Sequence, residues 1–191
     1  MLRGMRSPSR WKPVALQELQ QRIGVFKDWT LCGGYSLDVI LGRQTRAHGD
    51  IDIGVFRSQI LECLDSIGRE QVFLCSPPGT QTTWDGTAVE AAVHDIWISD
   101  AQREVWLFQI MVFDDEGEKV LYRRDRRIFW TKDSHALNIG GVRVLNPFIT
   151  FLYKANKSEM EEKEILDIMA LIAAAPNPAM ERTADRCAFD F

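Results

Sequence analysis

The chain has 191 residues, of which 46% are hydrophobic and 26% charged, and its formal net charge is −4. This composition is typical of a soluble globular protein, and the length suffices for one well-buried domain. The sequence contains no run of 18 apolar residues, so we expect no membrane span. The negative net charge argues against non-specific nucleic-acid binding, which needs clustered Lys and Arg.

Strands and helices alternate in the first half of the predicted structure. The apolar periodicity and the turn residues predict a helix over 12–25, a strand over 29–32, a short helix over 36–41, a strand over 50–56, a helix over 58–67 and a strand over 71–75. Residues 1–10 carry basic side chains but no apolar segment follows to make a signal peptide, so we interpret them as a flexible tail.

Strands dominate the middle of the chain, and helices follow near its end. The sequence predicts strands over 93–99 and 104–113 joined by a polar turn, a strand over 119–123, a strand pair within 136–144, and helices over 147–156 and 160–174. Residues 124–135 predict irregular structure. The order predicts an α+β domain over 11–175, with 146–175 as a helical part packed on it and 176–191 as a tail.

The cysteines indicate a reducing environment. They show neither close pairs nor metal-ligand spacing, and they are Cys32, Cys63, Cys75 and Cys187. Such a set predicts free thiols and a cytoplasmic protein. The sequence makes no prediction of an oligomeric state.

Two carboxylates stand at alternate positions of a predicted strand. Alternation sends Asp50 and Asp52 to one face, and Ile51 and Ile53 to the other. Carboxylates so close repel each other unless a cation joins them or one takes up a proton. Magnesium that carries triphosphate suits the pair, because Mg²⁺ takes one or two carboxylates together with phosphate oxygens.

The segment 31–57 resembles the nucleotidyltransferase superfamily, which has the fold of DNA polymerase beta, and it is most similar to the aminoglycoside and lincosamide nucleotidyltransferases. The resemblance rests on four motifs: Gly33-Gly34, Leu37-Asp38, Leu41-Gly42-Arg43-Gln44-Thr45-Arg46-Ala47-His48 and Asp50-Ile51-Asp52-Ile53. It implies a mixed twisted sheet with helices mainly on one face, and C-terminal helices. It also implies transfer of a nucleoside monophosphate from an NTP to a hydroxyl of a small acceptor, with Mg²⁺, two ions being possible.

The same resemblance implies roles for residues around the nucleotide. Asp50 and Asp52 are the expected metal ligands, and Gly33, Gly34 and Ser36 are expected to seat phosphate. Glycines also permit a tight turn without any ligand.

Basic residues of this segment and of the late helix are expected to offset triphosphate charge. They are Arg43, Arg46, His48 and Lys154, with Asn156 and Lys157 beside the last. Structural alternatives stay open for three of them. Arg46 could pair with Asp38, which is itself expected to hold the loop, and His48 could bond to backbone. Lys154 could lie on a solvated helix face. Lys163 and Asp167, four residues apart, are expected to pair.

The sequence departs from the family pattern at the third acid. The family usually places Glu or Asp on a later strand, where this chain has Gln109. A Gln can ligate metal through its carbonyl but cannot accept a proton from a hydroxyl. Asp95 compensates if the hairpin register sets it on the face of Gln109, opposite residue 108 or 109; Asp114 is a more distant candidate.

Two alternative functions remain open from the sequence. Gln109 favours a catalytically degenerate NTP-binding module that keeps the fold without turnover. The resemblance also extends to toxin-like nucleotidyltransferases that act on tRNA, although the acidic net charge counts against a nucleic-acid partner.

Overall fold

A computed structural model of the chain describes residues 7–155, 159–174 and 187–189. The following strands and helices occur in this part, in chain order: β1 (Arg10–Trp11), α1 (Leu16–Ile23), β2 (Thr30–Cys32), α2 (Gly33–Leu41), β3 (Asp52–Phe56), α3 (Ile60–Ile67), β4 (Val72–Leu74), β5 (Thr82–Thr83), β6 (Asp95–Ser99), β7 (Val105–Phe113), β8 (Asp115–Glu116), β9 (Lys119–Leu121), β10 (Ile128–Thr131), α4 (Lys132–His135), β11 (Ala136–Ile139), β12 (Val142–Leu145), α5 (Pro147–Ala155), α6 (Glu162–Ala174) and β13 (Cys187–Phe189).

The chain divides into two compact units, and the first comprises Met1–Trp29 and Gly49–Val112. Its strands lie in the order β3-β7-β6-β4-β5, and β1 pairs with the beginning of β7 in parallel. The β6–β7 hairpin is antiparallel and contains a bulge between Ile98 and Ser99. Apolar side chains of this hairpin, such as Ile96 and Phe108, are 0% exposed because alternate residues of both strands face the core.

The helices of the first unit end where glycine permits the turn. Leu19 and Ile23 of α1 are buried, and Gly24 follows with φ 81°. Helix α3 is preceded by a short 3-10 turn and ends at Gly68, whose φ is 109°. Glycine adopts these positive φ angles without the steric cost that a side chain would impose.

The second unit comprises Thr30–His48 and Phe113–Phe191. Strands β11 and β12 form an antiparallel hairpin, and β12 pairs in parallel with β2. A separate sheet has the order β13-β10-β9-β8. Helix α2 contacts β2, β12 and α6, and α5 contacts α6.

The observed elements confirm the predicted α+β class with a mixed sheet, and they correct the prediction for residues 124–135. Residues 124–135 were predicted to be irregular, but they contain β10 and α4. The helix α4 has four residues and β10 has four, so both are too short to leave a periodic signal.

Several predictions concern residues outside those that the structure describes. They are residues 1–6 of the predicted N-terminal tail, Asn156 and Lys157, and most of the predicted tail over 176–191. The domain boundaries stay predictions, with Arg10 in β1 and 187–189 in β13. Among the described residues, no helix is both long and apolar enough to span a membrane, and Cys32, Cys63 and Cys75 are free thiols.

Candidate active site

The two aspartates of the predicted metal site flank a buried isoleucine. Ile51 and Ile53 are 0% exposed, whereas Asp50 is exposed and Asp52 is half-buried. The burial therefore alternates as predicted, although the strand begins at Asp52 and not at Asp50. Two carboxylates at alternate positions of an extended segment suit magnesium, which needs few protein ligands when phosphate oxygens complete its shell.

Gln109 lies directly beside this pair of aspartates in the sheet. Its backbone N–H donates to the carbonyl oxygen of Ile51 at 2.9 Å. In its side chain, the amide Oε1 accepts a hydrogen bond from Trp97 Nε1 at 3.1 Å, and Nε2 donates to Asp95 Oδ1 at 3.0 Å. Gln109, the polar residue within the apolar strand β7, is thus hydrogen-bonded through both the oxygen and the nitrogen of its amide, which offsets the cost of its partial burial.

The hairpin register places Asp95 on the face of Gln109. Asp95 stands opposite Met111, and Trp97 stands opposite Gln109, so the predicted partner of Asp95, residue 108 or 109, was wrong. The bulge at Ile98 and Ser99 and a longer connection cause the shift. Because Met111 is two residues from Gln109, the side chain of Asp95 still lies on the same face.

The Asp95 carboxylate also influences a neighbouring thiol. Burial, together with the negative charge of Asp95, raises the pKa of Cys75 to about 12. The backbone N–H of Cys75 donates to the carbonyl oxygen of Asp95 at 2.9 Å. Cys75 therefore stays protonated at neutral pH and is not a competing nucleophile.

In the second unit, the Gly33-Gly34 turn begins α2. Gly33 has φ 63°, a conformation that disfavours a side chain. A Cβ at Gly34 would collide with the imidazole of His48 and approach the guanidinium of Arg46. Ser36 is 0% exposed, and its hydroxyl donates to the Gly33 carbonyl at 2.7 Å. The contacts of these three residues with phosphate stay predictions. The conformation of Gly33, the close packing at Gly34 and the hydrogen bond of Ser36 each explain the residue found there without a bound ligand.

Asp38 holds the loop that follows α2, as predicted. Its Oδ1 accepts hydrogen bonds from the backbone N–H and the hydroxyl of Thr45, at 2.8 and 2.7 Å, and its Oδ2 lies 2.6 Å from His48 Nε2. The predicted bond from His48 to backbone is wrong, since its partner is this carboxylate. His48 Nδ1 is buried without a hydrogen-bond partner, which favours the tautomer with the proton on Nε2 because a buried bare acceptor costs less than a buried bare donor.

Arg46 and Lys154 converge on a buried carboxylate that the sequence analysis did not assign to them. Asp167 is 1% exposed in its side chain and accepts from Arg46 Nε at 3.1 Å, Arg46 Nη2 at 3.0 Å and Lys154 Nζ at 2.7 Å. The predicted Arg46–Asp38 and Lys163–Asp167 pairs are therefore wrong; Lys163 pairs with Glu161 at 3.0 Å. The signal in the sequence was a single acid within the apolar run of α6.

The pKa of the Asp167 carboxyl reflects both burial and its cationic partners. Burial alone would raise this pKa, but the hydrogen bonds and charges of Arg46 and Lys154 outweigh burial and hold the pKa below its usual value. Asp167 therefore stays ionised at neutral pH, and it fixes the two basic groups that the sequence predicts to face the triphosphate.

A cavity of about 290 Å³ in the second unit is lined by this cluster. Arg43, Thr45 and Arg46 form its polar wall, and the α6 residues Leu166, Met169 and Ala170 contribute apolar surface around Asp167. The cavity thus combines two guanidinium groups with an apolar wall, a combination that suits a phosphorylated ligand with an apolar portion.

No group of three or more His, Cys, Asp or Glu side chains gathers as a metal cluster within the ranges 7–155, 159–174 and 187–189. The Asp50 and Asp52 pair stays the predicted ligand set for a cation. Its two hard oxygen ligands fit Mg²⁺ that arrives with a nucleotide, and they do not fit a metal such as structural zinc, which takes four protein ligands.

Comparison with known proteins identifies the class of fold. The family model for aminoglycoside-2''-adenylyltransferase matches residues 15–76, about a third of the chain. The solved structure of the lincosamide antibiotic adenylyltransferase LnuA, bound to lincomycin, superposes with a TM-score of 0.54 at 16% sequence identity, covering 85% of this chain and 99% of that one. The chain therefore has the nucleotidyltransferase fold.

Two further solved structures show weaker similarity. ANT(2'')-Ia in complex with adenylyl-2''-tobramycin gives a TM-score of 0.49 at 14% identity, covering 88% of each chain. An antigenic nucleotidyltransferase-like protein from Paracoccidioides brasiliensis gives 0.43 at 15% identity, covering 91% of this chain and 88% of that one. No curated protein shows significant similarity. The resemblance to the aminoglycoside and lincosamide branch, predicted from residues 31–57, is confirmed by the family match and by LnuA.

Proposed function

We propose that this protein transfers a nucleoside monophosphate from an NTP to a hydroxyl group of a small acceptor, of the aminoglycoside or lincosamide type, in the cytoplasm. The observation that carries the proposal is the pair of aspartates around the buried Ile51, with a bonded polar network on the adjacent strands β7 and β6. The family match over residues 15–76 supports the same interpretation.

Asp50 and Asp52 are the residues that would hold magnesium. When bound, magnesium supplies neutralisation of the triphosphate charge and orients the phosphate for in-line attack. The Gly33-Gly34 turn and Ser36 would bind the β- and γ-phosphates, because backbone N–H groups at the start of a helix can bind phosphate.

Arg46 and Lys154 contribute positive charge while Asp167 fixes their positions. Their bonds to Asp167 already hold both side chains in one conformation, so binding would cost less side-chain entropy than it would for unrestrained arginine and lysine. The negative net charge of the protein would favour the approach of a cationic aminoglycoside acceptor.

One observation favours a second candidate function. The resemblance implies a carboxylate at the position of Gln109, whose amide is hydrogen-bonded at both its oxygen and its nitrogen. A protein without a proton acceptor would bind NTP and fail to turn it over. This module is distinguished from the transferase by pyrophosphate release in the presence of acceptors.

Isothermal titration with Mg²⁺–ATP and with the other Mg²⁺–NTPs tests the proposed function. We expect the wild type to bind at least one nucleotide and Asp50→Asn to lose more than about 100-fold in affinity, because even outer-shell partners of a metal contribute 10–100-fold. Asp65→Asn is the matched control, since it makes the same chemical change on the exposed surface of α3. Equal affinity of Asp50→Asn and the wild type would contradict the metal site.

A further inference from the structure

The side chains of Trp97, Gln109 and Asp95 form a hydrogen-bonded chain across two strands of the first unit. Trp97 Nε1 lies 3.1 Å from Gln109 Oε1, and Gln109 Nε2 lies 3.0 Å from Asp95 Oδ1. The direction of each bond is fixed by chemistry, since an indole nitrogen only donates and a carboxylate only accepts. The amide of Gln109 therefore has a single orientation, with its nitrogen towards Asp95.

Trp97 is itself held by other aromatic rings. Its ring centroid is 5.3 Å from that of Trp11 and 5.2 Å from that of Trp106, both in edge-on geometry. Such contacts limit the movement of a large side chain. The indole that orients Gln109 is thus a fixed support, and the constraint extends through Gln109 to the carboxylate of Asp95.

The position of Gln109 relative to the two aspartates follows from the hydrogen bonds along one edge of β7. The backbone N–H groups of Lys12 and Val14 donate to the carbonyl oxygens of Trp106 and Leu107, and the N–H of Gln109 then donates to Ile51. If β3 ran antiparallel to β7, the residues after Ile51 would pair with the part of β7 that precedes Gln109. On that edge the carbonyl oxygens of Trp106 and Leu107 already accept from Lys12 and Val14.

We infer that β3 runs parallel to β7, and the inferred register brings three polar side chains to one face. In a parallel ladder, the bond from the Gln109 N–H to the Ile51 carbonyl sets Gln109 opposite Asp52. Opposite residues share a face, and Asp95 shares the face of Gln109. Asp52, Gln109 and Asp95 therefore stand side by side on β3, β7 and β6.

We propose that Asp95 is the proton acceptor of the reaction, that it replaces the carboxylate that the family usually carries on the strand here called β7, and that Gln109 and Trp97 position it. The proposal rests on the proposed function. Asp95 lies on β6, two strands away from Asp52 on β3, and its Oδ1 is held by the amide of Gln109, so the proposal assigns it to the acceptor hydroxyl and leaves the cation to Asp50 and Asp52. Gln109 keeps its amide oxygen on Trp97, so it serves as a positioning residue and not as a metal ligand.

The transfer step balances with these groups. The acceptor hydroxyl gives its proton to the carboxylate of Asp95, and its oxygen forms a bond to the α-phosphorus of the NTP. The bond between the α-phosphorus and the oxygen that bridges to the β-phosphorus breaks, and its electron pair leaves with pyrophosphate. Water or pyrophosphate removes the proton from Asp95 before the next turnover.

The test exchanges the acid and the amide between the two positions. Pyrophosphate release is measured with Mg²⁺–ATP and with tobramycin or lincomycin as the acceptor, for Asp95→Asn, Gln109→Glu and the double variant. We expect Asp95→Asn to lower kcat by about 10²–10⁴-fold with unchanged Mg²⁺–ATP affinity by titration. The double variant restores a carboxylate on β7, to which both the indole of Trp97 and the new amide on β6 can donate, so we expect it to recover at least about 10-fold over Asp95→Asn.

Trp97→Phe separates positioning from acid–base chemistry. It keeps an aromatic ring against Trp11 and Trp106 and removes the donor, so we expect kcat to fall several-fold with KM for ATP unchanged. The Nε1–H resonance of Trp97, assigned by its absence in Trp97→Phe, is expected to shift in Asp95→Asn, because the change passes through Gln109. Asp65→Asn is the control for all measurements.

Each outcome decides the assignment. Full turnover of Asp95→Asn, or a folded double variant no faster than Asp95→Asn, would overturn Asp95 as the proton acceptor while leaving the proposed function intact. A wild type that binds Mg²⁺–ATP but releases no pyrophosphate with either acceptor would also overturn it, in favour of the NTP-binding module. A wild type that binds no nucleotide would instead remove the proposed function itself.

Discussion

At the scale of single residues, the surroundings of a carboxylate determine its role. Asp38 and Asp167 accept several hydrogen bonds within the second unit, which makes them structural groups. Asp50 is exposed and Asp52 is half-buried, so a hydrated cation can reach both carboxylates. Exposure to solvent, and not residue type, is therefore what makes Asp50 and Asp52 the candidate ligands.

Asp167→Asn tests the structural acid through its pH dependence. The folded-state pKa of Asp167 is lowered, so its stabilising contribution is fully present above the unfolded pKa of about 3.9 and is lost as pH falls through the folded pKa. At pH 7 we expect Asp167→Asn to reduce the free energy of unfolding by about 3 kcal/mol, because Arg46 and Lys154 lose their buried counter-charge. Urea unfolding over a pH series measures both effects.

The sign of the pH dependence decides whether Asp167 stabilises the protein as a charged group. The difference in stability between the wild type and Asp167→Asn is expected to shrink as pH falls below about 4. Asp125→Asn is a control, because its partner Arg127 is exposed and its pair lies on the surface, where ion pairs contribute little. A stability difference that is constant down to the acid limit would contradict the charged role of Asp167.

The residues that the sequence could predict are those whose neighbours are local. The alternation of Asp50, Ile51 and Asp52 was readable because a strand has a fixed period, and Asp38 holds a loop only seven residues away, at Thr45. The pair Arg46–Asp167 joins residues 121 positions apart, and no local spacing encodes such a contact. Trp97 was missed for the same reason, since its role depends on the bulged register of the hairpin.

At the scale of elements, the start of α2 shows how a helix can be fixed by a side chain from a following loop. Gly34 leaves space for the imidazole of His48, which is 1% exposed and bonded to Asp38. Arg46 also approaches the same glycine. The loop after α2 is therefore attached to the helix both by hydrogen bonds to Asp38 and by close packing against Gly34.

Gly34→Ala is expected to destabilise the protein by about 1–2 kcal/mol. Alanine favours a helix over glycine by up to about 1 kcal/mol, but overpacking against a bonded, buried ring costs about 1–3 kcal/mol, and the second effect dominates because His48 cannot move without breaking its bond to Asp38. Gly49→Ala is the matched control, since a Cβ there meets nothing within 4 Å. Thermal and urea unfolding measure both variants, and equal stabilities would contradict the packing argument.

Element prediction succeeded where a periodic pattern was long enough or where glycine marked a turn. The sequence predicted a strand pair around Gly140 and Gly141, and the structure confirms it: both glycines have positive φ in the turn and β11 pairs with β12 on either side. The prediction for 124–135 failed because β10 and α4 have only four residues each, and β10 is regular because it pairs with β9 and β13. Tertiary pairing, and not local preference, makes those residues regular.

At the scale of the whole molecule, charge and fold restrict the partner. A net charge of −4 opposes the phosphate backbone of RNA, which binds through clustered basic side chains. The same charge attracts a cationic small molecule. The nucleotidyltransferase fold, shown by the superposition with LnuA, does not by itself specify an acceptor, because function depends on the site and not on the fold.

Binding of nucleotide is expected to stabilise the whole chain only when magnesium accompanies it. A ligand at about 100 times its Kd adds about 2.7 kcal/mol to the stability of the folded state, which for a chain of this length corresponds to a rise in Tm of roughly 5–10 °C. Under the proposed function, ATP alone would lack the cation that joins its phosphates to Asp50 and Asp52, so in EDTA the charged phosphates and carboxylates would repel each other and the rise in Tm should vanish. Differential scanning calorimetry measures Tm in each condition.

Three variants serve as controls for the magnesium dependence of Tm. Asp50→Asn should show no rise in Tm with Mg²⁺–ATP, whereas Asp65→Asn and Asp95→Asn should respond like the wild type, because neither removes a proposed ligand of the cation. An equal rise for ATP in EDTA would mean that basic groups such as Arg46 and Lys154 bind the phosphates without the aspartates. The dependence of Tm on magnesium therefore separates a metal-dependent transferase site from a simple anion-binding cavity, because only the former couples the charge of the two aspartates to that of the nucleotide.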